Sequence, residues 1–201
     1  MFIGITQRLI LNENYPEERE CLALDWGKLF NQDLLKGFIP LPLSYEIEFS
    51  RYKHLLKAVI LSGGNDLSLY NLNTLSKKRD AYEKQIITIC LKEKIPLLGI
   101  CRGAQIIAHY FNSNISPCKN HVNIQHEVFY FKEKFISNSF HNFAIKELGE
   151  DLVGLCFAKD NSIEAFKHKN ENIFGIMWHI EREKGLENIQ ILKEWLSSIK
   201  V

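Results

Sequence analysis

A sharp turn centred on Cys101 constrains the fold of this chain more than any other feature of its sequence. Residues 96–112, PLLGICRGAQIIAHYFN, take an apolar run into GICRG (residues 99–103) and continue as a helical pattern. Where a strand turns directly into a helix the two backbones nearly touch, so small residues are needed two positions either side of the turn residue. A helix that starts at Arg102 directs its free N–H groups toward the sulfur and favours a thiolate. The pattern predicts a nucleophile elbow with cysteine in place of serine.

A base for this nucleophile is predicted near the end of the chain. Residues 174–181, FGIMWHIE, have the pattern of a strand that ends in His-x-Glu. Residues two apart on an extended segment face the same way, so Glu181 can lie beside the His179 ring, fix its tautomer and stabilise the imidazolium. Cys101, His179 and Glu181 therefore form a candidate catalytic triad.

A third segment indicates hydrogen-bond donors for an oxyanion. Residues 57–66, KAVILSGGND, form a short apolar strand followed by two glycines. Such a turn can present a backbone N–H, here that of Gly64, and the N–H of Arg102 after the nucleophile supplies the second donor. Each such donor typically stabilises a transition state by about 3 kcal/mol. The three separated signals together predict acyl transfer.

These motifs resemble those of the class I glutamine amidotransferases, and within them the gamma-glutamyl hydrolase branch. The similar segments are Gly-Gly-x-Asp after a strand, Gly-Ile-Cys-Arg-Gly-x-Gln at an elbow and Trp-His-x-Glu, in order from Gly63 to Glu181. Residues 3–8, IGITQR, are also similar to the first strand of that branch, so the resemblance covers nearly the whole chain. It implies an α/β, flavodoxin-like three-layer fold with a mainly parallel central sheet and a partly antiparallel C-terminal portion.

The resemblance also implies a reaction and its substrate contacts. The expected reaction is attack by Cys101 on a gamma-glutamyl carbonyl, with release of glutamate from a thioester. Gln105 resembles the glutamine that holds the glutamate end of the substrate, and residues 139–144 resemble a segment whose backbone receives the alpha-amino and alpha-carboxylate groups. The substrate-binding candidates are therefore Gln105, Ser139, His141, Asn142 and Phe143.

The chain departs from the family pattern at two places. Ile180 fills the middle of the common His-Pro-Glu form, which is sterically mild. The common Asn-His-Gly-Phe form is replaced by Phe-His-Asn-Phe at residues 140–143, so the backbone groups that contact substrate stay open.

Arg102 bears on the type of enzyme. Synthase-coupled glutaminases usually carry a leucine or tyrosine there, so the arginine favours a free-standing hydrolase. Arg8 or Arg102 is a candidate contact for a phosphoryl leaving group. Two alternatives stay open: a glutaminase subunit that supplies ammonia to a separate synthase, and a catalytically silent binding module.

Composition is consistent with this interpretation. The 201 residues, 46% hydrophobic and 24% charged, suit a single domain over residues 1–201. A net charge of +1 gives no broad electrostatic reason to bind nucleic acid or a membrane surface. Five cysteines without Cys-x-x-Cys spacing, and a first segment too short for a secretory signal, favour a reducing cytoplasm. The expected partner is a small gamma-glutamyl substrate without a cofactor, and a homodimer stays open.

Hydrophobic periodicity predicts alternating strands and helices in the first half and mostly strands after about residue 121. The expected strands are 2–7, 38–41, 58–62, 96–100, 122–131, 152–158, 162–167 and 173–178, and the expected helices are 17–30, 77–92 and 186–199.

The remaining reactive residues have ordinary structural interpretations. Four cysteines are expected to be inert core: Cys21, Cys90, Cys118 and Cys156. No metal site is expected, because no histidine pair has helical ligand spacing with a supporting carboxylate, and His121 with His126 is as easily a strand surface. His141 stays open between a binding and a structural role. The tryptophans are expected to pack in the core, and the charged segment 79–83 is expected to be a solvated helix face.

The elbow generates a direct test. Cys101→Ala should abolish turnover while leaving the fold and substrate binding largely intact, because the side chain is small and projects into a crevice. Steady-state kinetics, with circular dichroism as the control for folding, measure both properties. Hydrolysis at the wild-type rate by this variant would remove the entire mechanism.

Overall fold

The chain folds into a mixed α/β structure, and its computed structural model describes residues 1–200. Within that range the strands are β1 (Phe2–Ile5), β2 (Arg8–Leu11), β3 (Glu18–Cys21), β4 (Ile39–Pro42), β5 (Leu56–Leu61), β6 (Leu97–Ile100), β7 (Asn114–Pro117), β8 (Val122–Tyr130), β9 (Glu133–Phe140), β10 (Phe143–Glu147), β11 (Leu152–Ala158), β12 (Ile163–His168) and β13 (Ile173–Ile176). The α-helices are α1 (Leu24–Phe30), α2 (Thr74–Glu93), α3 (Arg102–Tyr110) and α4 (Gln190–Ser197). None of these helices has the length and apolar character needed to cross a membrane.

One large sheet joins a parallel half to an antiparallel half. Its order is β4-β1-β5-β6-β13-β12-β11-β8-β9. In addition, β10 pairs with both β12 and β7. Strands β2 and β3 form a separate hairpin. Strands β4, β1, β5, β6 and β13 are parallel, and the others in the sheet pair antiparallel. Gly99 of β6 lies opposite Gly175 of β13. The segments that follow these two strands therefore meet at one edge, where ligands of parallel sheets usually bind.

Apolar clusters cover both faces of the sheet, because the buried residues of its strands alternate. Val59 and Leu61 of β5 pack in the cluster that contains residues of α2 and α3. Ala58 and Ile60 pack in the cluster that contains residues of α1 and α4. The three tryptophans lie in this second cluster, as predicted: Trp26, Trp178 and Trp195. The predicted α/β fold with helix layers on both faces is confirmed.

The helix predicted for residues 77–92 is confirmed and extends to Thr74–Glu93. The Asn73 side chain accepts a hydrogen bond from the Ser76 N–H at 2.7 Å and caps the first turn. Lys94 ends the helix in the left-handed conformation, with φ of 56°. The final helix, predicted over residues 186–199, is shorter and spans Gln190–Ser197.

The helix predicted for residues 17–30 is wrong in its first half. Residues Glu18–Cys21 form β3, which pairs antiparallel with β2, and α1 begins only at Leu24. Asn65 holds this hairpin in place, because its side chain accepts from the Leu9 N–H at 3.1 Å and donates to the Leu9 carbonyl at 2.9 Å. Hairpin pairing with β2 overrides the local helical spacing.

Besides β3, four strands were not predicted: β2, β7, β9 and β10. In β9 the buried positions include the polar residues Ser137, Asn138 and Ser139, so the strand lacks the apolar alternation that identifies a half-buried strand. These buried polar groups are hydrogen-bonded instead, as with Ser139, whose hydroxyl donates to the His121 carbonyl at 2.7 Å.

The elbow brings β6, α3 and β5 into direct backbone contact. A Cβ atom on Gly99 would overlap the Gly103 backbone, and one on Gly103 would overlap the Leu61 carbonyl oxygen. The predicted need for small residues at positions 99 and 103 is therefore confirmed, because a larger residue at either position would overlap backbone atoms.

This contact predicts opposite effects of alanine at two helical glycines. Gly103→Ala should lower the free energy of unfolding by about 1–3 kcal/mol or more, because backbone atoms must separate. Gly27→Ala in α1 is the matched control, since nothing lies within 4 Å of its Cβ position. It should raise the free energy of unfolding by up to about 1 kcal/mol. Equal changes in urea unfolding would contradict the steric argument.

Candidate active site

Cys101 occupies the predicted elbow in a strained conformation. It follows β6 directly, with φ of 52° and ψ of −106°, and precedes the first residue of α3. Its N–H donates to the Ile176 carbonyl of β13 at 2.7 Å. A non-glycine residue in this region of backbone space costs energy and persists only where the surroundings enforce it. Here the glycine contacts of the elbow and the bond to β13 do so.

His179 and Glu181 form the predicted pair. The His179 Nδ1 lies 2.6 Å from the Glu181 Oε1, and both side chains are almost fully buried. Burial by itself lowers the pKa of His179, but the Cys101 sulfur and the Glu181 carboxylate raise it to about 9. A side chain on Gly63 would meet the His179 Cε1 at 2.7 Å and the Cys101 Cβ at 3.6 Å, so the glycine turn lies against both residues.

The backbone around His179 is held by Asn138, a residue that the sequence analysis missed. The Asn138 Oδ1 accepts from the His179 N–H at 2.9 Å, and its Nδ2 donates to the His179 carbonyl at 2.9 Å and the Glu183 carbonyl at 2.8 Å. Asn138 comes from β9, at the far end of the sheet order. No local motif signals this contact, because it depends on the pairing of unpredicted strands.

The proposed oxyanion donors lie beside Cys101. Gly64 adopts φ of 96°, a conformation suited to glycine, and lines the same cleft as Cys101 and Arg102. Arg102 is the first residue of α3, so its N–H belongs to the first turn, which has no acceptor within the helix. The roles of both N–H groups stay predictions.

A buried ionic network lies behind these donors. Arg79 donates to the Ser62 carbonyl at 3.2 Å and the Gly63 carbonyl at 3.1 Å, and pairs with Glu83 at 2.9 Å. The Arg102 guanidinium pairs with Glu83 and with Asp80. Burial by itself raises the pKa of Glu83, but the charges of Arg102 and Arg79 hold it below its usual range.

Two expectations are corrected by this network. The charged segment 79–83 is not a solvated helix face, since the Arg79 and Glu83 side chains are fully buried and that of Asp80 is nearly so. The Arg102 guanidinium is committed to two carboxylates and is not positioned for a leaving group. Arg8, by contrast, lines the cleft and makes no ion pair with any residue in the described range 1–200.

The substrate-binding candidates divide into two groups. Gln105, His141 and Asn142 line a cleft of about 350 Å³ that also contains Cys101 and His179. Ser139 and Phe143 do not line it. Phe143 lies behind the wall, where its carbonyl accepts from the Gln105 Nε2 at 2.9 Å. Phe140 and Arg182, which were not predicted, complete the wall, with the Arg182 guanidinium 4.5 Å from the Phe140 ring centre.

The other cysteines and histidines depart in part from expectation. Cys90 and Cys156 are buried, whereas Cys21 and Cys118 are only half-buried. The prediction that these cysteines pack in the core is therefore wrong for Cys21 and Cys118. His121 and His126 are not strand surface, since their side chains are 6% and 13% exposed. They lie with Glu164 in a group whose donor atoms are within 4.8 Å of one another, close enough to hold a metal ion.

Comparison with known proteins agrees with the motifs and the fold. The sequence description of the glutamine amidotransferase class-I family matches residues 24–199. The chain belongs to this family. It is 80% identical to a gamma-glutamyl-CDP-amidate hydrolase from Campylobacter jejuni, over the full length of both proteins. It is also 30% identical to a subunit of glutamine-hydrolysing GMP synthase from Methanococcus vannielii, over 70% of this chain and 72% of the relative.

Solved structures support the same fold. A GMP synthase subunit from Thermoplasma acidophilum superposes with a TM-score of 0.70 at 18% identity, covering 99% of this chain and 94% of the other. The predicted family and the predicted class of enzyme, a glutamine amidotransferase-like hydrolase, are confirmed.

The His179 environment predicts a pH dependence for this amidotransferase-like hydrolase. With a pKa near 9, His179 carries its proton below that pH and loses it above, so kcat/KM should fall on the alkaline side near pH 9. Glu181→Gln removes a charge that raises this pKa, so the alkaline limb should move to lower pH. Glu187→Gln, an exposed carboxylate of the same loop, is the control and should leave the limb unchanged.

Variants of His179 and Glu181 distinguish the base from the group that orients it. His179→Ala should lower the acylation rate by several orders of magnitude, whereas Glu181→Gln should cost less because a neutral amide still orients the ring. A glutamate variant more damaged than the histidine variant would reverse the assignment.

Proposed function

We propose that this protein hydrolyses a gamma-glutamyl amide through a gamma-glutamyl thioester on Cys101. The observation that carries the proposal is the strained cysteine at a strand-to-helix elbow beside a buried His179–Glu181 pair, all at one edge of the sheet. A strained nucleophile with an oriented base is the arrangement that acyl transfer requires.

In the first half of the reaction the Cys101 thiolate attacks the gamma-glutamyl carbonyl carbon. The carbonyl electron pair moves to oxygen, and the N–H groups of Gly64 and Arg102 stabilise the resulting oxyanion. The His179 imidazolium, held by Glu181, donates its Nε2 proton to the leaving nitrogen. The C–N bond breaks, the amine leaves and the thioester forms.

In the second half a water molecule attacks the thioester carbonyl. Neutral His179 takes a proton from this water, so that hydroxide adds to the carbon and the same oxyanion site is used again. The C–S bond then breaks with its electron pair on sulfur. Glutamate leaves, and the thiolate and imidazolium are restored.

The glutamate end of the substrate is assigned to the side of the cleft lined by Gln105, His141 and Asn142. The Gln105 amide donates to the Phe143 carbonyl at 2.9 Å, so the helix and the loop are already connected. Ser139 supports this loop from behind through its hydrogen bond to the His121 carbonyl. A connected wall reduces the entropy lost on binding.

For the leaving group we propose a nucleotide phosphoramidate, with gamma-glutamyl-CDP-amidate as substrate and cytidine diphosphoramidate as product, a reaction of capsule phosphoramidate synthesis. The name of the 80% identical relative supports this choice. A second cleft of about 310 Å³ adjoins the first across Gly64 and His179, and Arg8 and Arg182 line both. Guanidinium groups suit phosphate oxygens. The second cleft also contains apolar side chains that suit a nucleobase: Ile10, Leu22 and Trp26.

A glutaminase that serves a synthase is the second candidate, because the Methanococcus relative is a subunit of GMP synthase. Such a protein would require a partner synthase for full activity. The small-molecule substrate, rather than nucleic acid or membrane, remains the proposed partner. The reducing cytoplasm remains the proposed location, since all five cysteines are free thiols.

Kinetics on two substrates test the proposal. The isolated chain should hydrolyse gamma-glutamyl-CDP-amidate with a higher kcat/KM than glutamine, because binding energy from the distant anionic group is available in the transition state. A better kcat/KM for glutamine, or activity only after a second protein is added, would favour the synthase-coupled glutaminase.

Arg8 gives a sharper version of this experiment. Arg8→Gln should lower kcat/KM for the nucleotide substrate by roughly 10–100-fold, the loss expected for a charged hydrogen bond, and change that for glutamine much less. The exposed Arg51→Gln is the matched control and should affect neither substrate. Equal losses on both substrates would remove Arg8 from the leaving-group site.

A further inference from the structure

Three histidines surround one buried carboxylate behind the wall of the cleft. His121 precedes β8, His126 lies in β8, His141 joins β9 to β10, and Glu164 lies in β12. We name these four residues the His–Glu cluster. Glu164 is 0% exposed, His141 3% and His121 5%. The catalytic mechanism uses none of these side chains as acid, base or nucleophile.

The facing atoms of the cluster are close but not hydrogen-bonded. The Glu164 Oε1 lies 3.5 Å from the His121 Nδ1 and 3.6 Å from the His141 Nε2, and the Glu164 Oε2 lies 3.7 Å from the His126 Nε2. All five of these buried atoms lack a hydrogen-bond partner among the residues described. Leaving buried polar atoms unpaired costs about 1–3 kcal/mol each, so such a concentration calls for a ligand.

The spacing fits a metal ion. Four ligands placed tetrahedrally at the usual zinc bond lengths, about 2.0–2.2 Å, lie about 3.3–3.6 Å from one another. The nitrogen-to-oxygen separations are 3.5–3.7 Å, with His121 and His141 facing one Glu164 oxygen and His126 facing the other. The donor atoms of His121, His126 and Glu164 all lie within 4.8 Å of one another, a group that does not include His141. Hydrogen bonds would instead bring such atoms within about 3.2 Å.

The outer nitrogen of His141 sets the tautomer that a metal requires. The His141 Nδ1 lies 3.1 Å from the Phe143 carbonyl oxygen, an acceptor that places the proton on Nδ1 and leaves the Nε2 lone pair facing Glu164. Metal-bound histidines characteristically donate their second N–H to a carbonyl or carboxylate in this way. The His121 Nε2 lies 3.5 Å from the Asp160 carboxylate, the same distance as its Nδ1 from Glu164, so no hydrogen bond fixes the tautomer of this ring.

We propose that the His–Glu cluster binds one divalent transition-metal ion, with Zn²⁺ as the best fit. His121, His126 and Glu164 form the ligand group, and His141, 3.6 Å from Glu164, becomes the fourth ligand when the side chains close around the ion. Four protein ligands fill a tetrahedral shell, so the ion has a structural role. It joins β8, β12 and the loop at His141. Phe140 and Asn142, the neighbours of His141, line the catalytic cleft, so the ion would stabilise the wall that receives the substrate.

This proposal replaces the sequence-based expectation of no metal site. That expectation considered ligand spacing along the chain, whereas these residues come from three segments: residues 121–126, the loop at His141 and β12. Cys118 lies outside the set, because its sulfur is 3.8 Å from the His141 Nδ1, the nitrogen that donates to Phe143, rather than from the Nε2.

Metal titration of the full chain tests the proposal. Chelator-treated and dialysed Cys101→Ser protein, which lacks the catalytic thiolate as a competing ligand, should bind Co²⁺ at one equivalent with the visible bands of a tetrahedral complex. Zn²⁺ should displace it. Absence of saturable binding would show that the cluster is held by protons alone and would overturn the proposal.

Ligand variants in the same background locate the ion. His126→Gln and Glu164→Gln should each weaken Zn²⁺ binding by at least about 10–100-fold. The exposed His54→Gln is the matched histidine control and should bind as the parent does. Unchanged binding in both ligand variants would place the metal elsewhere and overturn the proposal.

A stability measurement covers the case in which a ligand variant does not fold. Zn²⁺ should raise the Tm of the chelator-treated Cys101→Ser chain in proportion to the logarithm of its concentration above the Kd, because the ion binds the folded state. A Tm that does not respond to Zn²⁺ would contradict a structural site.

Discussion

The active site depends on a buried network of two guanidinium and two carboxylate groups. Arg79 of α2 connects it to the glycine turn after β5, Glu83 joins Arg79 to Arg102, and Arg102 belongs to the elbow helix. Removing such charges from water is costly, and only complete pairing offsets the cost. The network therefore tolerates one arrangement of α2, the elbow and the glycine turn. That arrangement places Cys101 beside Gly64.

The antiparallel half of the sheet completes a site that the parallel half begins. The elbow and the glycine turn follow β6 and β5 in the parallel half, and His179 follows β13 at the boundary. Asn138 of β9 then holds the His179 backbone from the antiparallel half through two hydrogen bonds, and the Glu183 carbonyl through a third. Phe140 and Asn142, which line the cleft, come from the same region. The same antiparallel region, β9 and the loop after it, thus positions both His179 and the wall of the cleft.

The sequence was sufficient where the chemistry depends on a few adjacent residues. The elbow requires glycine two positions either side of Cys101, and His179 and Glu181 meet because extended residues two apart face the same way. The sequence-based interpretation failed where strand pairing decides the outcome. Residues 18–21 were predicted to be helical but form a strand that pairs with β2. Strand β9 was not predicted because it buries polar rather than apolar side chains.

The sequence by itself determined the family. It also predicted the candidate triad, because the elbow and the His-x-Glu pair rest on short-range backbone geometry. Only the tertiary structure decided what the buried charges do. Arg102 pairs inward with Asp80 and Glu83 instead of facing a leaving group, and Glu164 faces three histidines from two other segments, residues 121–126 and the loop at His141. The physical reason is that a buried charge must find partners, and those partners come from elements whose approach no local pattern records.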